Sequence, residues 1–304
     1  MGKLIILCGL SGVGKSSYAK MIEDAVIVSS DDIRAELSYR ADQSQNGKVF
    51  RIFHSRVDNL LKEGKTVVAD ATNITTKSRR PIIDIGKRNH VKIECHLLLK
   101  QIYKCVMDDS KRNYSVGYKV ISKQAKRFEV PFYEEGFDDI KLIGEKSAYY
   151  FRKSSDYFSF FNNWLKDADG YNQYNPHHSL TLGEHCRKVS KLFNYHAEHD
   201  MIEKYGDGVL YHDIGKMYTQ SFDDDNIAHY YAHGNIGAYV YLLNMFGQAN
   251  ERYILNNAFI INYHMRPFTW TEDKTREKYR KIFGDEKYDV LMLLNECDKK
   301  GSRE

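Results

Sequence analysis

The stretch from Lys3 to Ser16, KLIILCGLSGVGKS, determines the fold of the first half of the chain. It opens with a short apolar run, Lys3–Cys8, of the kind found in buried parallel strands. Residues 9–16 then match the pattern GxxxxGK[ST], and residues 15–24 have the apolar spacing of a helix. In such a unit the glycines let backbone N–H groups turn toward phosphate oxygens, and the helix presents its positive end. The stretch therefore predicts a phosphate-binding loop after the first strand.

This loop carries the side chains that a nucleotide triphosphate and its metal ion require. Lys15 is expected to reach the β- and γ-phosphates of ATP, and the Ser16 hydroxyl is expected to ligate Mg²⁺. Asp70 ends a later strand at the same edge, where its carboxylate would face Mg²⁺. The residues expected to bind ATP and Mg²⁺ are Gly9, Ser11, Gly12, Val13, Gly14, Lys15, Ser16, Ser17 and Asp70.

Strands and helices alternate outward from the loop. Further strands are predicted at 25–29, 65–70 and 91–99, and helices at 48–64, 76–89 and 101–127 on both sides of Gly117. Helices of this length between strands indicate right-handed βαβ units. The first half is therefore predicted to be an α/β domain with a parallel sheet flanked by helices.

Polar residues at the carboxyl edge of this sheet are candidates for catalysis. Asp31 could accept the proton of an attacking hydroxyl, and Arg34 could hold a phosphate of the acceptor. Asp32 competes with Asp31, since either could merely be an acidic residue of a helix first turn. Asn73 is expected to brace the loop and to help bind the acceptor. Arg112 lies in a basic stretch, residues 111–119 and 126–127, interpreted as a lid over the transferring phosphoryl group or as a solvated helix face.

The second half differs from the first in its residue pattern, and no strand is predicted in it. An aromatic-rich junction spans 151–172 and is interpreted as a helix packed between domains rather than as a base-stacking surface. The predicted domains are 1–150 and 173–304 on either side of it. Apolar residues recur at helical spacing in the second half, and the predicted helices are 180–196, 201–215, 232–247, 250–264 and 286–300.

Composition excludes several classes of protein. Hydrophobic residues make up 42% and charged residues 28%, which excludes a disordered chain. Because no apolar run reaches about 18 residues and five cysteines lack CxxC pairing, we expect a cytoplasmic protein without a membrane partner. Residues 1–150 hold 26 Lys and Arg against 19 Asp and Glu, so that half carries a charge of +7. This excess fits an anionic substrate, but a well-solvated surface explains it equally well.

The motifs of the first half resemble the polynucleotide 5′-hydroxyl kinase family. The resemblance covers residues 1–143 and rests on GLSGVGKS, SSDDIR, ADATN, the lid sequence KRN and the segment RFEVPFYEEGFD. It implies a P-loop kinase that phosphorylates a 5′-OH end with ATP, with Asp31 as the base and Arg34 on the acceptor phosphate. The family often has a lid arginine a few residues beyond KRN, where this chain has Tyr114, Ser115 and Val116. The lid contact is therefore assigned to Arg112 or to neighbouring lysines.

The second half contains an adjacent pair, His212 and Asp213, that could bind one divalent ion if the backbone curves there. With His185 upstream and Asp298 downstream, the order H…HD…D resembles the HD superfamily of metal-dependent phosphohydrolases, an all-α fold, over residues 175–300. The binuclear version of that pattern adds His233 and His264. The resemblance implies two divalent transition-metal ions, with Mn²⁺, Fe, Co²⁺, Ni²⁺ and Zn²⁺ as candidates. His229 and Lys216 are expected to contact the substrate, although Lys216 could equally be a surface lysine.

Together the two resemblances imply an enzyme that heals broken ends of RNA or DNA. It would add a 5′-phosphate and remove a 2′,3′-cyclic phosphate or 3′-phosphate, leaving ends for a separate ligase. One alternative keeps both activities but directs them at small nucleotides or sugars. Another alternative is a nucleotide-gated sensor that binds a signalling nucleotide without turnover.

Overall fold

The computed structural model describes residues 2–37, 44–144, 156–175 and 179–302, and their side chains except those of 156–159. The chain divides into two compact units, Met1–Glu145 and Lys146–Glu304. Each unit has its own core.

The first unit is a five-stranded parallel sheet with helices around it. The strands lie in the order β2-β3-β1-β4-β5. Their bounds are β1 Lys3–Cys8, β2 Ala25–Ser29, β3 Thr66–Asp70, β4 Lys92–Leu99 and β5 Asp139–Gly144. The helices are α1 Lys15–Ala19, α2 Ser30–Leu37, α3 Asn46–Lys62, α4 Thr76–Arg88, α5 Ile102–Ser110 and α6 Gly117–Ala125. The predicted α/β class with a parallel sheet is confirmed.

The burial of the central strands explains why the sequence predicted them. All but the first residue of β1 are buried, as expected of a strand covered on both faces. The fifth strand was not predicted, because its sequence DIKLIG alternates buried with partly exposed residues at the sheet edge. The first helix ends at Ala19 instead of continuing to residue 24, and β2 runs directly into α2, which the sequence reasoning did not assign.

The second unit is mostly helical. Its helices are α7 Asp156–Asp169, α8 Leu182–His196, α9 His199–Leu210, α10 Lys216–Thr219, α11 His233–Met245, α12 Glu251–Tyr263, α13 Asp273–Phe283 and α14 Asp285–Gly301. Two short antiparallel strands, β6 Ser221–Phe222 and β7 Ala228–His229, form a hairpin between α10 and α11.

The described part of the aromatic segment forms α7, and its Phe161 and Trp164 rings belong to the core of the second unit. The ring centroid of Phe161 lies 4.7 Å from that of Tyr211 and 5.6 Å from that of Tyr241. The Trp164 indole lies 5.7 Å from the same Tyr211 ring. These two rings therefore pack inward, and residues 151–155 of the predicted junction lie outside the described residues.

The second unit departs from the sequence prediction in three places. The hairpin contradicts the expectation that no strand occurs there. The helix α13 was missed because its sequence DKTREKYRKIF is mostly charged, and Phe283 is its one buried residue. The predicted helix 201–215 ends at Leu210, so His212 and Asp213 lie in the turn before α10. Among the described residues, every helix is too short or too polar to cross a lipid bilayer.

Candidate active sites

The phosphate loop of the first unit follows β1 and has the backbone its sequence requires. Gly12 and Gly14 have φ angles of 78° and 105°, in the left-handed region that side chains disfavour. A Cβ on Gly12 would also collide with the carbonyl oxygen of Cys105 on α5. The loop therefore depends on glycine for both conformation and close packing.

Lys15 and Ser16 lie where a nucleotide phosphate and its metal ion would be bound. The Nζ of Lys15 donates to the carbonyl oxygens of Gly9 and Leu10 at 3.0 and 2.9 Å, so it spans the loop. Burial lowers the pKa of Lys15, and Asp70 opposes that shift. The Ser16 hydroxyl donates to Asp70 Oδ2 at 2.7 Å, which pairs the two predicted Mg²⁺ ligands.

Asp31 lies between two arginines near this loop. Arg34 donates to its Oδ1 at 2.7 Å, and the guanidinium of Arg112 lies 3.5 Å from its Oδ2. Arg34 is buried, its second terminal nitrogen donates to Asn46, and its Nε has no hydrogen-bond partner among the described residues. Asp32 is exposed, and its backbone N–H donates to the Ser29 hydroxyl. The geometry therefore favours Asp31 over Asp32 as the functional carboxylate.

The segment predicted to form a lid is organised by Asp109, a residue that sequence reasoning missed. Its fully buried carboxylate accepts from the Ser115 hydroxyl at 2.6 Å and from the backbone N–H groups of Val116 and Gly117 at 2.9 Å. Arg112 also lies 3.4 Å from the same carboxylate. Asp109 thus closes the turn between α5 and α6 and holds Arg112 next to Asp31. An aspartate three residues before an arginine was the available sequence clue.

Asn73 braces the sheet. It is 2% exposed, and its amide donates to the Leu7 carbonyl oxygen at 2.8 Å. Its φ is 46°, and its own carbonyl accepts from the Cys8 thiol. These contacts fit the expected bracing role better than contact with an acceptor. In the loop itself, Val13 is buried in the core and Ser17 is exposed.

The second unit brings together the six residues predicted to bind metal. His185 comes from α8, His212 and Asp213 from the turn after α9, His233 from the start of α11, His264 from the end of α12 and Asp298 from α14. All six are at most 8% exposed. Their candidate ligand atoms form two groups, each within 4.8 Å, which are His185, His212 and Asp298, and Asp213, His233 and His264.

The four imidazoles share one hydrogen-bonding pattern. The Nδ1 atoms of His212, His233 and His264 each lie 2.8 Å from a backbone carbonyl oxygen, and that of His185 lies 3.3 Å from one. Such contacts favour a proton on Nδ1, which leaves the Nε2 lone pair free. The Nε2 atoms then face one another, at 3.2 Å between His185 and His212 and 3.0 Å between His233 and His264. Two such lone pairs repel unless a proton or a metal ion lies between them.

Asp213 lies between the two histidine pairs. Its Oδ2 is 3.4 Å from the Nε2 atoms of both His185 and His212. Its Oδ1 is 3.2 Å from the Nε2 of His233 and 3.5 Å from that of His264. One carboxylate therefore offers one oxygen to each pair, and the donor set fits two divalent ions with imidazole and carboxylate ligands.

The electrostatics of this cluster favour ionised carboxylates. Burial opposes ionisation of His185, yet Asp213 and Asp298 raise its pKa to about 9. Burial likewise opposes ionisation of Asp213, but Lys216 and His212 hold the pKa of that carboxyl well below its ordinary value. The pKa of Asp298 is lowered to about 2, mainly by its contact with His185 against the effect of burial. The carboxylates thus stay ionised and create a field that attracts cations.

Lys216 lies beside the cluster and is not a surface lysine. Its side chain is 6% exposed, and its Nζ lies 2.7 Å from Asp213 Oδ2. It also donates to Oε1 of the buried Gln173 at 2.8 Å, and it lies 5.4 Å from the ring centroid of Tyr230. Sequence reasoning missed Gln173 and Tyr230, because neither residue type by itself indicates a site. His229 lies on β7, half-buried and paired with Asp223 at 2.7 Å.

The chain is similar to known proteins over part of its length. Residues 4–131 match the family model described as AAA domain. The chain is 25% identical over 147 residues to a protein of Autographa californica nuclear polyhedrosis virus whose name describes a bifunctional polynucleotide kinase/RNA ligase. That match covers 41% of this chain and 21% of the viral protein.

A second relative is the bifunctional polynucleotide phosphatase/kinase of Schizosaccharomyces pombe, 24% identical over 172 residues. This match covers 54% of the chain and 37% of the relative, so the chain spans a fifth to a little over a third of these two proteins. A solved structure of the Pnkp1/Rnl/Hen1 RNA repair complex matches with 24% identity and a TM-score of 0.37 over 40% of this chain and 42% of that one.

Proposed function

We propose that the chain is a two-site enzyme that heals the ends of broken RNA or DNA. One site phosphorylates a 5′-OH end with ATP, and the other removes a 2′,3′-cyclic phosphate or 3′-phosphate. The observation that carries this proposal is that one chain holds a phosphate loop beside an Asp–Arg pair and a cluster of four imidazoles around one carboxylate. The first arrangement suits phosphate addition, and the second suits phosphate removal.

The kinase proposal rests on positions around the loop. ATP would lie on the loop with Lys15 at its transferring phosphate and with Mg²⁺ at Ser16 and Asp70, which already contact each other. Asp31 would take the proton of the acceptor hydroxyl, while Arg34 would use its unpaired Nε on the acceptor phosphate. The names of the two relatives support a polynucleotide as the acceptor.

The phosphohydrolase proposal rests on the inward-facing Nε2 atoms of the histidine cluster. His185, His212 and Asp298 would hold one divalent ion, and His233 and His264 a second, with Asp213 between them. Bound metal ions supply a hydroxide nucleophile near neutral pH and polarise the phosphoester. Lys216 would neutralise a phosphate oxygen of the substrate, because its ammonium group already lies at the edge of the cluster.

The test is one oligoribonucleotide with a 5′-OH end and a 2′,3′-cyclic phosphate end. It is incubated with the full chain, ATP, Mg²⁺ and Mn²⁺, and both ends are resolved by gel electrophoresis. We expect a 5′-phosphate and a 3′-OH. Transfer of phosphate to nucleosides or sugars but to no oligonucleotide would support the small-substrate alternative, and binding without turnover at either end would support the sensor.

A further inference from the structure

A flat stacked pair of rings lies on the outside of the hairpin between α10 and α11. The His229 and Tyr231 rings are almost parallel, with 8° between their planes and 5.4 Å between their centroids. Tyr231 is 70% exposed, although it is one of the large aromatic side chains that normally prefer burial. We name His229 and Tyr231 the hairpin platform.

The hairpin platform is held rigidly. Asp223 accepts from the backbone N–H of Ile227 through Oδ1 at 2.9 Å, which tightens the hairpin turn. The other oxygen of Asp223 lies 2.7 Å from the Nε2 of His229. One carboxylate therefore fixes both the turn and the imidazole, so that stacking on the platform requires little further ordering.

Tyr230 lies between His229 and Tyr231 in sequence, and it connects the hairpin platform to the histidine cluster. Tyr230 points inward, donates to the Gln173 carbonyl oxygen at 2.7 Å and lies against Lys216. The Tyr230 carbonyl lies 2.8 Å from the Nδ1 of His233, one of the candidate metal ligands. Tyr231 is two residues from His233, and two residues of chain span at most about 7 Å. The backbone of Tyr231 therefore lies within about 7 Å of that of His233.

We propose that the hairpin platform binds the terminal nucleobase of the strand whose 3′-end phosphate lies at the metal cluster. This inference rests on the phosphohydrolase proposal and adds a subsite to it. Exposed aromatic faces stack on bases of any sequence, and each such contact contributes about 1–3 kcal/mol. The acidic turn beside the platform, Asp223 to Asp225, disfavours a phosphodiester backbone crossing it. The platform therefore suits one terminal base and not a continuing strand.

The first measurement compares two oligonucleotides with 3′-phosphate ends, one with a normal terminal base and one with an abasic terminal residue. For Tyr231→Ala, kcat/KM on the normal end should fall about tenfold, as expected for loss of one stacking contact. On the abasic end this variant should equal the wild type. Tyr231→Phe should retain the wild-type preference, since the ring and not the hydroxyl does the stacking.

The matched control is Tyr195→Ala. Tyr195 is 83% exposed and also contacts a histidine ring, that of His196, on the same unit. It lies ten residues along α8 from His185, or about 15 Å of helix. Its removal should leave both substrates unaffected. Equal kcat/KM values for wild type and Tyr231→Ala on both ends would overturn the platform while leaving the phosphohydrolase intact.

A binding measurement separates this inference from the proposed activity. A 3′-phosphorylated oligonucleotide with terminal 2-aminopurine is titrated with the full chain, and quenching of its fluorescence reports stacking. We expect quenching with wild type and Tyr195→Ala, and its loss with Tyr231→Ala. Quenching without hydrolysis would retain the platform and reject the phosphohydrolase. Absence of quenching with the wild type would reject the platform, whatever the hydrolysis result.

Discussion

The two candidate sites are built from different parts of the polypeptide. The phosphate loop in the first unit is made mainly of backbone from eight consecutive residues, and two glycines give it its shape. The histidine cluster in the second unit is made of side chains from four helices and one turn. A backbone site depends on local conformation, whereas a side-chain cluster depends on the packing of the whole unit. This difference predicts that substitutions will inactivate the two sites separately and in different ways.

Replacement of Lys15 in the loop should separate the activities of the two sites most completely. Lys15→Ala should lower phosphate transfer to a 5′-OH oligonucleotide about a thousandfold or more, because several kcal/mol of charge stabilisation are lost. Removal of the 3′-end phosphate should continue without ATP. Lys20→Ala removes an exposed lysine just after α1 and serves as the control. Equal loss of both reactions would show that the sites do not act independently.

Removal of one imidazole should produce the converse result. His212→Ala should lower bound transition metal, measured by elemental mass spectrometry, and should abolish 3′-end processing, because a metal ligand is lost. The kinase should keep its rate, since its candidate Mg²⁺ ligands lie in the first unit. His196→Ala, which removes an exposed histidine on α8, should change neither quantity. If His212→Ala retained full metal content and 3′-end activity, the metal centre would be rejected.

Replacement of Arg34 tests whether an acceptor site lies beside the loop. Arg34→Ala should raise KM for the oligonucleotide about ten- to a hundredfold, as expected for a lost hydrogen bond to a charged group. The KM for ATP should hardly change. Asn46→Ala is the matched control, because it removes the part-buried Arg34–Asn46 contact and keeps the guanidinium. If both variants raised KM equally, Arg34 would have only a structural role.

The smallest expected effect is the change of acceptor affinity with ionic strength. If Arg34, Arg112 and a lid lysine neutralise two or three phosphates, the log–log slope of acceptor affinity against salt should lie between about −1.4 and −2.1. The hairpin platform should respond less to salt, because it binds a base. Acceptor affinity that does not change between low and high salt would favour a small-molecule acceptor over a strand.

The contrast between a local backbone site and a side-chain cluster also explains which features the sequence predicted. The loop and the strands β1 to β4 were predictable because contiguous residues determine them. The edge strand β5 and the charged helix α13 lack a continuous apolar pattern, so they were missed. The partners that orient site residues, such as Asp109 and Gln173, were missed for another reason. Their roles arise from tertiary contacts with residues distant in sequence or in neighbouring turns.

The packing of the loop against both lid helices has a consequence for the order of events in the kinase. Gly12 lies against the Cys105 carbonyl of α5, and Ser11 exchanges two hydrogen bonds with Gln124 of α6, at 2.8 and 3.0 Å. Any adjustment of the loop to an incoming phosphate is therefore transmitted to the lid. Because the lid also holds Arg112 beside Asp31, nucleotide occupancy should be communicated to the acceptor side before an acceptor arrives. We expect ordered addition, with ATP first, so that the acceptor side is arranged before the strand end binds.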